Sequence, residues 1–250
     1  MSNLVSIIVP AYNAEKTIID TINSVVAQSH QEWEMLIADD CSKDNTRAVV
    51  TQWAERDPRI RLLALPKNGG PALARNACLA EAKGDWLAFL DSDDFWLPEK
   101  LERSIAFAEE KSAALVFTAF RRISQDGTSV GRLIEVPATL NYAQLLGNTA
   151  IATSTVVINA GMVGDLRVED AYYDDFVRWL LVLKRGHKAC GLNEDLMRYR
   201  VMKGSVSNNK WRSARKVWFT LRHIEKLNIF RSAWSFSRYA VNAVKKYSRY

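Results

Sequence analysis

Short apolar runs and helical stripes alternate along the first half of the chain. Residues 5–9, 34–38, 59–65 and 86–90 read as strands bounded by turn-forming residues. Between them, residues 15–28, 45–56 and 71–82 show helical spacing, and Ile18, Ile22, Val25 and Val26 form one apolar stripe. Strand–helix alternation needs crossover connections, so an α/β fold is expected, with a mostly parallel, twisted sheet flanked by helices. A helix over 98–111 and a strand over 114–117 follow. The pattern then loosens. Gly127 and Gly131 mark turns, 153–158 reads as another strand, and 172–184 reads as a helix closed by Gly186. From about Asn209 two helices are expected, broken near Asn228, as a C-terminal extension.

At 250 residues the chain has room for one large domain, or one domain with an appendage. Hydrophobic residues make up 48% and charged residues 25%, as in an ordinary soluble globular protein. No apolar stretch approaches the length that spans a bilayer. The chain enters its first strand at once, so no signal peptide is expected. Cys41, Cys78 and Cys190 are odd in number and far apart, which argues against a disulfide framework or a zinc site and fits a reducing cytoplasm. The net charge of +6 conceals an asymmetry: residues 201–250 hold twelve Lys and Arg against Glu225 alone. Residues 1–200 are mildly acidic.

The densest chemistry lies behind the fourth strand, where Phe89-Leu90-Asp91-Ser92-Asp93-Asp94 places three carboxylates at the strand's carboxyl end. Ligands bind at that edge of open α/β sheets. Three acids so close repel one another unless a cation sits among them, and hard oxygen ligands suit Mg²⁺ or Mn²⁺. The alternative is a cap for the following helix, which needs only one acid. A dinucleotide fingerprint or a P-loop is excluded, because Val9-Pro10-Ala11-Tyr12-Asn13 follows the first strand and no glycine precedes Gly69. Three strand ends should therefore meet: Pro10, Ala11 and Tyr12; Asp39 and Asp40; and Asp91 to Asp94. An aromatic ring beside a carboxylate suits a flat base with a peripheral N–H, such as uracil. Asp39-Asp40 also reads as plain turn chemistry.

Four ordered motifs resemble family 2 glycosyltransferases with the GT-A fold. They are Val5-Ser6-Ile7-Ile8-Val9-Pro10-Ala11-Tyr12-Asn13, Ala38-Asp39-Asp40-Cys41-Ser42-Lys43-Asp44-Asn45-Thr46, Asn68-Gly69-Gly70-Pro71-Ala72-Leu73-Ala74-Arg75-Asn76 and Asp91-Ser92-Asp93-Asp94. A weaker likeness runs through Tyr173-Asp174-Asp175-Phe176-Val177-Arg178-Trp179-Leu180, Leu183-Lys184-Arg185-Gly186 and Tyr199-Arg200, and is most similar to bacterial O-antigen and teichuronic-acid-type transferases. The resemblance implies a GT-A domain over 1–208, with a nucleotide-sugar half (1–98) and an acceptor half (99–208), followed by a basic aromatic tail (209–250). It implies that Pro10, Ala11, Tyr12, Asp39 and Asp40 hold the nucleoside, with Asp40 preferred for the uracil N–H. Arg75 is expected to face the diphosphate, with Asp91 and Ser92 also on the nucleotide sugar. Asp91, Asp93 and Asp94 are expected to hold Mn²⁺ or Mg²⁺, Asp93 or Asp94 most directly. The same resemblance, counted back from Trp179 and Gly186 to Asp174-Asp175, implies Asp175 as the catalytic base, with Asp170 as runner-up. Lys203, Ser205 and Ser207 are candidates to touch the diphosphate. Met202 stands where relatives often carry a histidine, so no histidine ligand is expected.

The implied reaction is inverting, metal-dependent transfer of one hexose from UDP-glucose or UDP-galactose to a hydroxyl of a polyprenyl-diphosphate-linked glycan, in O-antigen or capsule biosynthesis. Two other classes compete. A sugar nucleotidyltransferase wants a glycine-rich basic loop after strand one, which is missing; a non-catalytic nucleotide-sugar-binding or scaffold protein would show a normal donor site without turnover. In the tail, Arg231, Arg238, Lys245 and Arg249 fall near one helical meridian, and Phe230, Ala233, Phe236, Ala240, Val244 and Tyr247 on the opposite arc. That pattern fits an anionic membrane surface or packing on the body, with nucleic acid not expected as a partner. A cytoplasmic location, peripheral on the inner face of the membrane, follows.

Overall fold

The computed structural model describes residues 3–148, 150–169, 174–202 and 210–248. Four strands open the chain: β1 (Val5–Ala11), β2 (Trp33–Asp39), β3 (Ile60–Ala64) and β4 (Trp86–Phe89), linked by α1 (Ile18–Val26), α2 (Thr46–Arg56) and α3 (Gly70–Glu81). They pair in parallel, as the alternation predicts, and their order is β3-β2-β1-β4. β1 and β2 are buried along their whole lengths because helices cover both faces. Period-two alternation divides β1 between two cores: Val5, Ile7 and Val9 join one cluster and Ile8 the other. Gly84, just before β4, is required by close approach, since a Cβ there would lie 2.6 Å from Leu4 O and from Ser6 N.

The second half is built differently. β5 (Phe95–Trp96) and α4 (Lys100–Lys111) lead to β6 (Leu115–Ile123), which turns back at Gly127 (φ 75°) into β7 (Val130–Ile134). β8 (Thr139–Leu140) and α5 (Tyr142–Leu145) follow. The stretch read as one strand over 153–158 is a 3₁₀ turn, Thr153–Thr155, followed by β9 (Val157–Asn159). β9 pairs antiparallel with both β4 and β6 and so joins the two halves of the sheet. After α6 (Ala160–Val163) and α7 (Asp174–Lys184), the long β10 (Ala189–Arg200) runs parallel to β6, and β5 pairs antiparallel with its end. β10 is absent from the sequence reading because its centre, Asn193-Glu194-Asp195, is polar where the ladder shifts register. Arg103 and Arg121 pair with Glu194 and Asp195 there.

The tail forms α8 (Lys210–Phe219), a π segment (Thr220–Ile224) and α9 (Ile229–Ser248), with the break where the pattern predicts it. Val217 and Leu221 are buried in the second core, with Phe236 and Tyr239 packed against it. Trp218 meets Phe236 edge-on at 5.5 Å. The inward stripe of α9 is Ser232, Ser235, Phe236, Tyr239 and Asn242, and Asn242 Nδ2 donates to Gly147 O at 2.8 Å. Glu225, at the break, receives Tyr142 O–H and pairs with Lys184 at 3.0 Å. The expected apolar arc is therefore split. Phe236 turns inward, while Phe230 (83% exposed), Trp234 (68%) and Val241 (53%) form the outward stripe. Among the described residues no helix is long and apolar enough to cross a membrane.

Candidate active site

The loops after β1 and β2 are stitched to each other. Asn13 (φ 50°) and Cys41 (φ 62°) take left-handed backbone at the two turns. Asn13 N donates to Ser42 Oγ at 2.9 Å, and Lys43 N returns to Asn13 Oδ1 at 2.8 Å. Ala14 N donates to Thr46 Oγ1 at 2.7 Å. These bonds fix the ends of Pro10 and Ala11, both buried, and leave the Tyr12 ring 48% exposed at the rim.

Asp39 and Asp40 differ in how they are engaged. Asp40 Oδ1 and Oδ2 accept Gly69 N and Gly70 N, each at 2.7 Å, so this carboxylate caps α3. That cap engages both oxygens of the residue expected at a uracil N–H. Asp39 Oδ2 accepts Arg47 Nη2 at 2.8 Å and Nε at 3.0 Å, while its Oδ1 has only a long 3.4 Å contact from Ser42 N. Asp39 therefore keeps one oxygen, Oδ1, without a short hydrogen bond.

Behind β4, the acid loop is held by its backbone. Thr17 Oγ1 donates to Ser92 O at 2.8 Å, and Thr21 Oγ1 donates to Asp94 O at 2.8 Å. Arg200 Nε donates to Asp93 O at 3.0 Å, and its Nη2 pairs with Asp20 at 2.7 Å. Asp94 is buried, with Oδ1 accepting Arg200 N at 2.9 Å and Oδ2 accepting Ser154 Oγ at 2.6 Å. Burial, with Asp93 and Asp91 beside it, pushes Asp94 well above the usual carboxylate range. Both its oxygens serve the scaffold, which makes it a poor metal ligand as placed. Among the described residues, the one hydrogen bond to the Asp93 carboxylate is from its own backbone amide. Burial, then the neighbouring Asp91, pushes it up to about 6. No three His, Cys, Asp or Glu side chains converge as a cage among the described residues. Of the three expected acids, Asp91 and Asp93 are those with carboxylate oxygens not taken up by the scaffold, and two carboxylates suit an ion that is also bound by substrate phosphates.

Arg75 does not point away to a diphosphate. It is buried, with Nη2 on Asp91 Oδ1 at 2.5 Å and Nη1 on Asp174 Oδ2 at 2.6 Å. One guanidinium fork therefore ties the acid loop to the first turn of α7. Asp174 and Asp175 then part ways. Burial would raise Asp174, but Arg75 and then Arg178 outweigh it and hold it below the usual range. Asp175 is raised to about 6, first by burial and then by Asp174, with Arg75 pulling the other way. Its oxygens accept Thr153 Oγ1 at 3.0 Å and Phe176 N at 2.7 Å. A carboxylate near 6 at a helix start is suited to take a proton at neutral pH. Asp170, Lys203, Ser205 and Ser207 lie outside the described residues. Thr153 and Ser154 are site-building groups that the sequence reading missed, their signal being three consecutive hydroxyls, Thr153-Ser154-Thr155; Arg200 stands in the Tyr199-Arg200 motif but is given no role there.

The sheet, with its flanking helices and the acidic loop at one edge, is that of a GT-A-like fold. The S. aureus TarS structure (residues 1–349, with UDP-GlcNAc) shares this fold at TM-score 0.71 and 20% identity, over 94% of this chain and 71% of that one. Residues 6–162 match Glycosyl transferase family 2, and the chain belongs to that family: it is a glycosyltransferase. TuaG of Bacillus subtilis (strain 168), a glycosyltransferase assigned to teichuronic acid biosynthesis, is 45% identical over 97% of both chains. The Escherichia coli UDP-Glc:alpha-D-GlcNAc-diphosphoundecaprenol beta-1,3-glucosyltransferase WfgD is 34% identical over 98% of this chain and 95% of its own.

Proposed function

We propose that this glycosyltransferase moves one hexose, from UDP-glucose or UDP-galactose, to a hydroxyl of a polyprenyl-diphosphate-linked glycan in surface polysaccharide biosynthesis, with inversion. The observation that carries the reading is that Arg75 ties the acid loop to Asp174, beside the raised Asp175. The names of TuaG and WfgD support the pathway class, the UDP-glucose donor and the lipid-linked acceptor.

In this reading Tyr12 packs on the uracil ring and Asp39 accepts its N–H. Asp91 and Asp93 would hold Mn²⁺ or Mg²⁺, which offsets the charge on the departing diphosphate. Asp175 takes the proton of the acceptor hydroxyl as its oxygen bonds to the anomeric carbon. The bond from that carbon to UDP breaks on the opposite face, and UDP leaves. Activation by a positioned base contributes roughly 10²–10⁴-fold.

A screen of purified protein against UDP-, GDP- and dTDP-sugars, with a GlcNAc-diphospho-lipid acceptor and with or without Mn²⁺, tests this. UDP-hexose should release UDP only with acceptor and metal present. Turnover of GDP-sugars alone, or UDP-sugar binding with no turnover, would sink it.

The same reading places the protein peripherally on the inner face of the cell membrane. The outward α9 stripe of Phe230, Trp234 and Val241 lies in a tail whose one acid, Glu225, is turned onto the body. Cationic and aromatic side chains suit an anionic interface. Phe230→Ser with Trp234→Ser should weaken pelleting with anionic vesicles and spare turnover of a short soluble acceptor; unchanged pelleting would reject the membrane role.

A further inference from the structure

The 3₁₀ turn Thr153–Thr155 sits between the two acidic elements and touches both. Thr153 Oγ1 donates to Asp175 Oδ2 at 3.0 Å. The next residue, Ser154, donates its Oγ to Asp94 Oδ2 at 2.6 Å and accepts Asp91 N–H at 3.1 Å. The turn itself is fixed from three sides. Trp96 Nε1 donates to Ser154 O at 2.7 Å, Thr155 Oγ1 donates to Ala152 O at 2.6 Å, and Phe89 N donates to Val156 O at 3.1 Å. All three side chains are buried, where a hydroxyl costs stability unless it is paired. Two adjacent hydroxyls on one tight turn therefore set the spacing of carboxylates that are about eighty residues apart in sequence.

We infer that Thr153 and Ser154 are positioning residues with separate duties: Thr153 orients Asp175, and Ser154 fixes the loop that presents Asp91 and Asp93. The inference rests on Asp175 being the base. The two duties are separable because the residues reach different acids. Loss of the Thr153 hydroxyl leaves the donor side untouched. Loss of the Ser154 hydroxyl frees Asp94 and the Asp91 amide and leaves Asp175 bonded to Thr153.

Thr153→Val keeps the shape and removes the donor. A hydrogen bond to a charged group is worth roughly 10–100-fold, so kcat should fall by about that factor while the donor KM and calorimetric UDP affinity stay within about twofold. The acid limb of the kcat profile should move to higher pH, because the lost bond favoured the charged carboxylate. Thr153→Ser should restore most of the rate. Ser154→Ala should show the opposite split, raising donor KM and weakening UDP binding with Mn²⁺ by roughly tenfold, with the smaller change in kcat. Thermal melting checks the fold. If Ser154→Ala unfolds, the Val and Ser variants of Thr153 decide alone. A Thr153→Val enzyme with normal kcat and pH profile overturns the inference, as does the same kcat and KM pattern in both variants. Asp175→Asn runs in the same assay: if it stays active, the base assignment itself has failed, and the inference falls with it.

Discussion

Two acidic clusters stand at the ends of β2 and β4, on either side of β1, and are treated in opposite ways. At the end of β2, Asp40 caps α3 with both oxygens, and Asp44 binds the Thr46 and Glu15 amides. Burial works against the Asp44 charge, and these bonds outweigh it and hold the group below the usual range. At the end of β4, the Asp93 carboxylate is bonded only by its own backbone amide among the described residues and is pushed up to about 6 by burial and by Asp91. Acids whose lone pairs are filled build the scaffold; an acid left short of donors is where an external cation or proton has work to do. Within α7 the same division separates adjacent residues, with Asp174 satisfied by Arg75 and Asp175 raised.

The comparison breaks first, and by most, at Asp93. Asp93→Ala should abolish turnover while the thermal midpoint holds or rises, because a poorly compensated charge is removed. Excess chelator should do the same to the wild type. Full activity in chelator, or a folded and active Asp93→Ala enzyme, would move this acid to the scaffold side.

Asp175→Asn should lower kcat by about 10²–10⁴-fold and leave UDP binding intact. Its pH signature follows from the raised value. Activity needs the charged form, so the wild-type rate should fall as pH drops through about 6. Stability runs the other way. The folded carboxyl binds its proton more tightly than an unfolded one, so between about pH 4 and 6 the folded state loses stability as pH rises. Asp175→Asn should therefore melt above the wild type at pH 7.5, with the gap closing toward pH 4. A lower melting point at pH 7.5 would show Asp175 to be structural.

The smallest catalytic effect is expected at Asp40. Asp40→Asn turns one acceptor into an amide against a backbone N–H, and an unmet buried group costs about 1–3 kcal/mol. Denaturant unfolding should register that loss while kcat per folded molecule changes less than about threefold. A selective rise in donor KM would restore Asp40 to the uracil site.

The sequence by itself determined the parallel first half, because strands covered on both faces read as unbroken apolar runs and the intervening helices carry their own period. It also located the acid loop, since local crowding of carboxylates is visible without a fold, whereas the Asp174–Asp175 step came from the family resemblance through Trp179 and Gly186. Only the tertiary structure decided which acids are filled. Arg75 looked free for phosphate until Asp91 and Asp174 closed on it from sixteen and ninety-nine residues away. Asp94 looked like a ligand until Ser154 and the Arg200 amide reached it. In the tail, period alone gave an apolar arc on α9, but contact with the body chose which aromatics turn inward, sending Phe236 to the core and leaving Phe230 and Trp234 outside. The physical reason is the same in each case. Hydrophobic period is a property of one segment, whereas the charge state and hydrogen-bond saturation of a side chain depend on partners that distant segments bring to it.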